Sequence, residues 1–184
     1  MNSNIKDIYN LTPSQEGIYA QYYQSNETKT YQLESLIKIG KGTEISKLEK
    51  SVELLSLRHP VLKSAFTVLK TGAIKQVILE NRKPEFTIIS KEEKYTEKEL
   101  EKIVNEDGQK ALDLQKDSLF RVTVIEFTDE RFMLFHSHHI ILDGWCLPVI
   151  IEDLQRNYSK LAEGISVEEI TEEIKEEKAK QTSY

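Results

Sequence analysis

Cysteine is nearly missing from this chain. Cys146 stands alone, which excludes an internal disulfide and gives no sign of a secreted, disulfide-stapled scaffold. No apolar run approaches the roughly 20 residues that cross a bilayer. The N-terminus shows no signal-peptide apolar core. Positive charge is also short, since 25 Lys and Arg against 31 Asp and Glu leave a net −6, and this disfavours a nucleic-acid surface. Neither a membrane nor a nucleic acid is expected as partner, and the expected compartment is the cytoplasm. No internal repeat is found, and the one biased segment is the Glu/Lys-rich end, Glu168 to Lys180. What is present is enough for one ordinary core: 39% hydrophobic residues in a chain of 184.

The pattern along the chain predicts alternating helices and strands. Thr12-Pro13-Ser14-Gln15 reads as a capping box opening a helix that runs to about Gln24. Tyr31 to Ile39 alternates apolar and polar residues, as a half-buried strand does. Thr43 is expected to cap a second helix carrying Ile45, Leu48, Val52 and Leu55, which Pro60 ends. Ala65 to Lys70 and Ala73 to Leu79 read as a hairpin about Thr71-Gly72, followed by a short strand, Glu85 to Ile89. Thr96 with Glu99 opens a third helix that Gly108 ends. Leu119 to Phe127 and the run through Phe132 to Phe135 read as an antiparallel pair around Thr128-Asp129-Glu130. A strongly amphipathic helix follows, Leu147 to Leu161, closed by Gly164. Ser166 and Glu169 cap a last helix whose apolar stripe (Val167, Ile170, Ile174) is thin, so it reads as a linker or a helix missing its partner. The fold class expected is α/β of the α+β kind, with helices packed on a mixed, largely antiparallel sheet. No internal boundary is marked within residues 1–165, and residues 166–184 read as an acidic helical linker.

One stretch concentrates the chemistry: His136-Ser137-His138-His139-Ile140-Ile141-Leu142-Asp143-Gly144-Trp145. It holds three of the four histidines and the one Trp, on a turn between a strand and a helix. Such a setting fixes the backbone and leaves side chains to face a cleft. Imidazole titrates nearest neutral pH and can take a proton in a transition state. A plainer reading stands beside each residue. His138 suits a structural role, His59 a helix end, Trp145 a core or tunnel wall, and Cys146 a small buried residue. His136, His138 and Asp143 share too few metal-ligand features to be a zinc site, with no Cys pair and no HExxH spacing, so no metal is expected.

HHIILDGW (His138 to Trp145) resembles the HHxxxDG signature of the condensation domains of nonribosomal peptide synthetases. NLTPSQEGIY (Asn10 to Tyr19), RHPVLKSAF (Arg58 to Phe66) and ALDLQKDSLFRV (Ala111 to Val122) are similar to three further motifs of that family, in the family's order. The resemblance runs from about Ile5 to about Leu161 and covers only the first half of such a domain. It implies one lobe of a chloramphenicol acetyltransferase-like, two-lobed fold, with the C-terminal lobe missing and the fragment inactive without it. It implies amide-bond formation between aminoacyl or peptidyl thioesters. No cofactor is bound directly, because both substrates ride on phosphopantetheine arms. The implied partners are donor and acceptor peptidyl carrier domains. Met1 lies close to the first motif, so an upstream synthetase subunit is a further expected partner.

The resemblance assigns catalysis to His139, as general base or as a positioning group. His138, Asp143, Gly144 and Trp145 support the site, Gly144 leaving room for substrate or for a tight turn. Lys63 stands where the family has an Arg that pairs with the motif Asp, so Lys63, or Arg58 in its place, is expected to pair with Asp143. Ser118 replaces a usual Pro. The QEG form of the opening motif resembles domains that take a D-configured donor. Two other readings stay open: an epimerization lobe, and a non-catalytic module that docks carriers.

Overall fold

A computed structural model describes residues 5–24 and 31–182. Its core element is a four-stranded sheet in the order β2-β7-β6-β5, with β2 at Gln32–Ile39, β5 at Glu85–Ser90, β6 at Phe120–Glu126 and β7 at Arg131–His138. Strands β6 and β7 carry apolar residues toward both faces, because both faces are covered. Val122, Val124, Met133 and Phe135 point to one side, where α2 (Ile45–Arg58) and α4 (Cys146–Ala162) bring Leu48, Val52, Leu55, Ile150 and Leu154. Ile125, Phe132 and Leu134 point to the other, onto Leu100 and Ile103 of α3 (Glu97–Gly108). Continuous burial along a strand is what a sheet between two helical layers requires.

A second, three-stranded sheet has the order β1-β4-β3, from Ile5–Asn10, Ile74–Leu79 and Ser64–Val68. The β3–β4 hairpin turns through Gly72 at φ +84°, a conformation only glycine adopts without strain. Strand β1 is absent from the pattern reading: its residues are mostly exposed, so they carry no apolar periodicity. The mixed, largely antiparallel character holds. All pairings are antiparallel except β5 with β6, which run parallel through the α3 crossover.

The helix starts follow their caps. Thr12 Oγ1 accepts the Gln15 N–H at 3.3 Å and Gln15 Oε1 accepts the Thr12 N–H at 3.0 Å, opening α1 (Pro13–Gln24). Thr96 caps α3 through the Glu99 N–H. The expected Thr43 cap of α2 is not formed: Glu44 holds the cap position and makes no side-chain bond there. Helix α4 ends in a Schellman turn, with Gly164 at φ +90°, its N–H on Leu161 O and the Ile165 N–H on Lys160 O.

The last helix, α5 (Val167–Thr182), corrects an expectation. It is packed rather than partnerless. Ile170 and Ile174 are fully buried against Leu54 of α2 and Leu161 of α4. Arg58 pairs with Glu177, and Lys160 with Glu173. A thin stripe suffices because two isoleucines fill one groove, each worth about 1.5–3 kcal/mol on burial. The helix is therefore packed against α2 and α4 rather than lacking a partner.

Candidate active site

Strand β7 ends at His138, and the turn after it is pinned from inside. Ile140, Ile141 and Leu142 are buried, the His138 N–H reaches Leu119 O at 3.0 Å, and the Ile141 N–H returns to His138 O at 3.1 Å. Gln15 of α1 holds the turn from outside, its Nε2 donating to Ile140 O at 3.1 Å and to Gln76 Oε1 at 3.1 Å. The residue that closes the α1 capping box thus also ties the opening motif to the histidine turn, a link that local pattern does not reveal.

The two adjacent imidazoles are in different environments. His138 is fully buried and its Nδ1 accepts the Ile140 N–H at 3.2 Å, so the neutral ring carries its proton on Nε2. Burial first, then the neighbouring His139 and His136, pushes its pKa down to about 4. His138 is therefore neutral at pH 7, in keeping with a structural role. His139 is half-buried. Its backbone N–H is held by Tyr31 O at 2.7 Å, while its imidazole makes no hydrogen bond or ion pair among the described residues.

His136 lies on the same strand face as His138 but two residues deeper, and serves a buried polar cluster. Its Nε2 meets Gln32 Oε1 at 2.8 Å, and its Nδ1 faces Glu34 at 3.4 Å and Asp107 at 3.6 Å. Arg121 binds Asp107 at 2.8 Å, both side chains being almost fully buried. Burial alone would raise the Asp107 pKa, but the facing His136 ring and the hydrogen-bonded Arg121 guanidinium hold it well below the usual carboxylate range. Gly108 completes the cluster, since a Cβ there would collide with the Glu34 carboxylate. No group of three or more His, Cys, Asp or Glu residues poised for a metal occurs among the described residues.

Asp143 departs from expectation. It is exposed, and its Oδ1 accepts the N–H groups of Trp145 and Cys146, both at 3.0 Å. Hydrogen bonds from Cys146, from its side chain first, together with the Trp145 N–H, lower its pKa. It caps the first turn of α4, where a negative charge is favoured. Lys63 does not pair with it: Lys63 Nζ donates to Glu80 O at 3.2 Å, just past the end of β4. Arg58 does not replace Lys63 either. It pairs with Asp153 at 3.6 Å and with Glu177, joining α2 to α4 and α5. The physical reason is that the 3₁₀ turn Pro60–Lys63 leads straight into β3, whose Ser64 pairs with Ile78 of β4, and this puts Lys63 beside Glu80. His59 sits at the end of α2, as read, and also meets Asp153 at 2.8 Å.

Trp145 is 89% exposed, so it is no part of this core. A Cβ on Gly144 would meet no atom within 4 Å, and its φ lies outside the left-handed region, so the turn itself does not demand glycine. Cys146 is half-buried. An Asp143 backbone bond pulls its thiol down, yet burial and the Asp143 carboxylate outweigh it and push the pKa up, the wrong direction for a nucleophile. A cleft of about 130 Å³ opens beside the turn, lined by Ser35, Phe135, Ser137, Asp143, Gly144 and Leu147 among others.

The sequence profile of the condensation domain family matches residues 5–182. The chain belongs to the condensation domain family. This condensation-domain chain is 32% identical over 170 residues to a linear gramicidin synthase of Brevibacillus parabrevis, covering 89% of itself and 3% of that protein. It is 31% identical over 166 residues to bacitracin synthase 1 of Bacillus licheniformis, covering 88% of itself and 3% of that synthase. Among solved structures, the starter condensation domain of rhizomide synthetase superposes with a TM-score of 0.77 at 17% identity, over 88% of this chain and 39% of that one. The epimerization domain from the third module of tyrocidine synthetase B superposes with a TM-score of 0.75 at 18% identity, over 89% of this chain and 37% of that one. The chain thus spans well under half the length of the solved domains and a few per cent of the synthases, and it shares their fold.

Proposed function

We propose that this chain is the N-terminal lobe of a condensation domain that joins two carrier-bound acyl groups through an amide bond. His139 is the residue that acts on the reacting atoms. The observation that carries this reading is the contrast between the paired histidines: His138 is buried and held neutral, while the adjacent half-buried His139 ring has no hydrogen-bond or ion-pair partner among the described residues.

The chemistry follows from that contrast. The acceptor amine attacks the donor thioester carbonyl, forming the C–N bond. The tetrahedral intermediate then collapses, the C–S bond breaks, and the phosphopantetheine thiolate leaves. His139 takes the proton that the nitrogen must lose, or orients the amine for attack. His138 takes no proton near pH 7 and serves to fix the turn. Asp143 holds the start of α4 and thereby the far end of the same turn. Gly144 and Trp145 line the open side, where the second lobe and the carriers would sit. Lys63 and Arg58 support the scaffold rather than the site. Donor and acceptor carrier domains supply the substrates, and the lobe alone is inactive, because the solved domains extend over more than twice its length.

An epimerization lobe is the second reading, kept open by a TM-score of 0.75 to the tyrocidine synthetase epimerization domain against 0.77 to the starter condensation domain. The test is a complete two-lobed domain built on this chain, given two carriers loaded with different aminoacyl groups in D- and L-donor forms. Carrier-bound dipeptide seen by mass spectrometry supports condensation, and the D/L ratio gives the donor preference. Exchange of the donor α-hydrogen for deuterium without dipeptide moves the reading to epimerization. Absence of both leaves a carrier-docking module.

A further inference from the structure

Tyr31 is the one non-glycine residue with a positive φ, +73°, among the described residues. For a bulky side chain this left-handed backbone is strained, at a cost of about 1–3 kcal/mol. Such strain persists only where surrounding contacts impose it. Here the contacts converge on the histidine turn.

The Tyr31 carbonyl accepts the His139 N–H at 2.7 Å. Its ring stands edge-on to the His139 ring, with centroids 6.4 Å apart and planes at 85°, and lies 6.5 Å from the His138 ring. Its hydroxyl donates to Gln21 Oε1 on α1. The next residue, Gln32, is paired with His138 across β2 and β7 and holds His136 Nε2 at 2.8 Å. Strand β2 thus enters the sheet with its first residue fixed on β7, and the conformational strain falls on the one residue before it. In an ordinary extended conformation, the residue at this position would not present carbonyl and ring together to the same histidine.

The geometry points to Tyr31 as a positioning residue for His139: its carbonyl fixes the backbone at the motif's second histidine, and its ring sets the orientation of the imidazole. This rests on the reading of His139 as the reacting group. Tyr31 touches neither substrate nor reacting atoms in this role.

The test uses the full 184-residue chain labelled at histidine, with His139→Gln identifying the His139 ring signals in two-dimensional NMR. The unsubstituted chain is expected to show nuclear Overhauser contacts between the Tyr31 and His139 rings. Tyr31→Asn keeps a carbonyl and a residue that tolerates the left-handed backbone, but removes the ring. It is expected to move the His139 ring signals toward those of a solvent-exposed histidine while the His136 signals stay in place. Tyr31→Phe, which loses only the bond to Gln21, is expected to keep the native His139 signals. In the two-lobed domain, Tyr31→Asn is expected to lower kcat for amide formation by about 10- to 100-fold, the scale of a small misplacement of a reacting group, with KM unchanged.

Unmoved His139 signals in Tyr31→Asn overturn the assignment. So does the absence of ring–ring contacts in the unsubstituted chain, which decides the matter even if Tyr31→Asn fails to fold. The other failure looks different: moved His139 signals together with undiminished amide formation in His139→Gln overturn the role of His139 itself.

Discussion

Acidification should weaken this fold in a window set by His138. The ring is neutral and buried in the native state, with a pKa near 4 against an ordinary 6.5. The unfolded chain therefore takes up a proton near pH 6.5 that the folded chain refuses until about pH 4. Between those values the unfolded state binds more protons, so stability falls as pH falls. Above the upper value both states are neutral and the residue contributes no pH dependence. A displacement of 6.5 − 4 = 2.5 pH units, at about 1.4 kcal/mol each, makes the full loss about 3–4 kcal/mol. His136 and His139 face this ring as titratable neighbours, and Tyr22 and Tyr31 face it with their rings. The control is His138→Asn, whose side-chain oxygen can still accept the Ile140 N–H but which does not titrate. Urea unfolding followed by circular dichroism at constant ionic strength gives both curves. The difference between native and variant should be flat above the window and shrink by about 3–4 kcal/mol across it. Parallel curves, or a native chain that gains on the variant upon acidification, would refute the buried neutral imidazole.

Three further outcomes follow from the packing and the charges. Ile170→Ala should cost about 2–5 kcal/mol and expose α5 to amide hydrogen exchange, whereas an unchanged exchange pattern would mean that α5 is not docked. Arg121→Met should cost about 3 kcal/mol, the lower end for a broken buried pair because His136 and Lys110 still face Asp107, and adding Asp107→Leu should recover part of it. In a thermal double-mutant cycle, Lys63→Ala and Asp143→Ala should show no coupling, and any measurable coupling would restore the ion pair that the structure lacks.

Local signals transfer well from sequence to fold. Although Thr43 does not cap α2, the capping box at Thr12 forms reciprocally and Thr96 caps α3 through the Glu99 N–H, both decided within four residues. Gly164 ends α4 for the same reason. The β6–β7 hairpin is legible from its turn, and the apolar runs mark the layer-covered strands. The misses are of another kind. Strand β1 pairs through its backbone while its side chains are exposed, so no periodicity announces it. The partners of Ile170 and Ile174 lie on two other helices, beyond any window over α5. The Lys63 pairing belongs to a family pattern in which the position is Arg, and here the lysine turns to Glu80. At the site, the motif marks His138, His139 and Asp143, but nothing local marks Tyr31. Its importance comes from a backbone angle and from a contact 108 residues away in sequence (139 − 31). The cluster of Asp107, Arg121 and His136 is equally non-local, assembled by the end of α3 meeting two strands.

The central claim is that His139 acts on the amide-forming step. The most direct measurement is single-turnover amide formation by the two-lobed domain with preloaded carriers, comparing the native sequence with His139→Ala. The account predicts a rate lower by about 10²–10⁴-fold, the usual worth of a positioned acid–base group, with the circular dichroism spectrum and unfolding midpoint unchanged. An undiminished rate in a folded His139→Ala variant would contradict it.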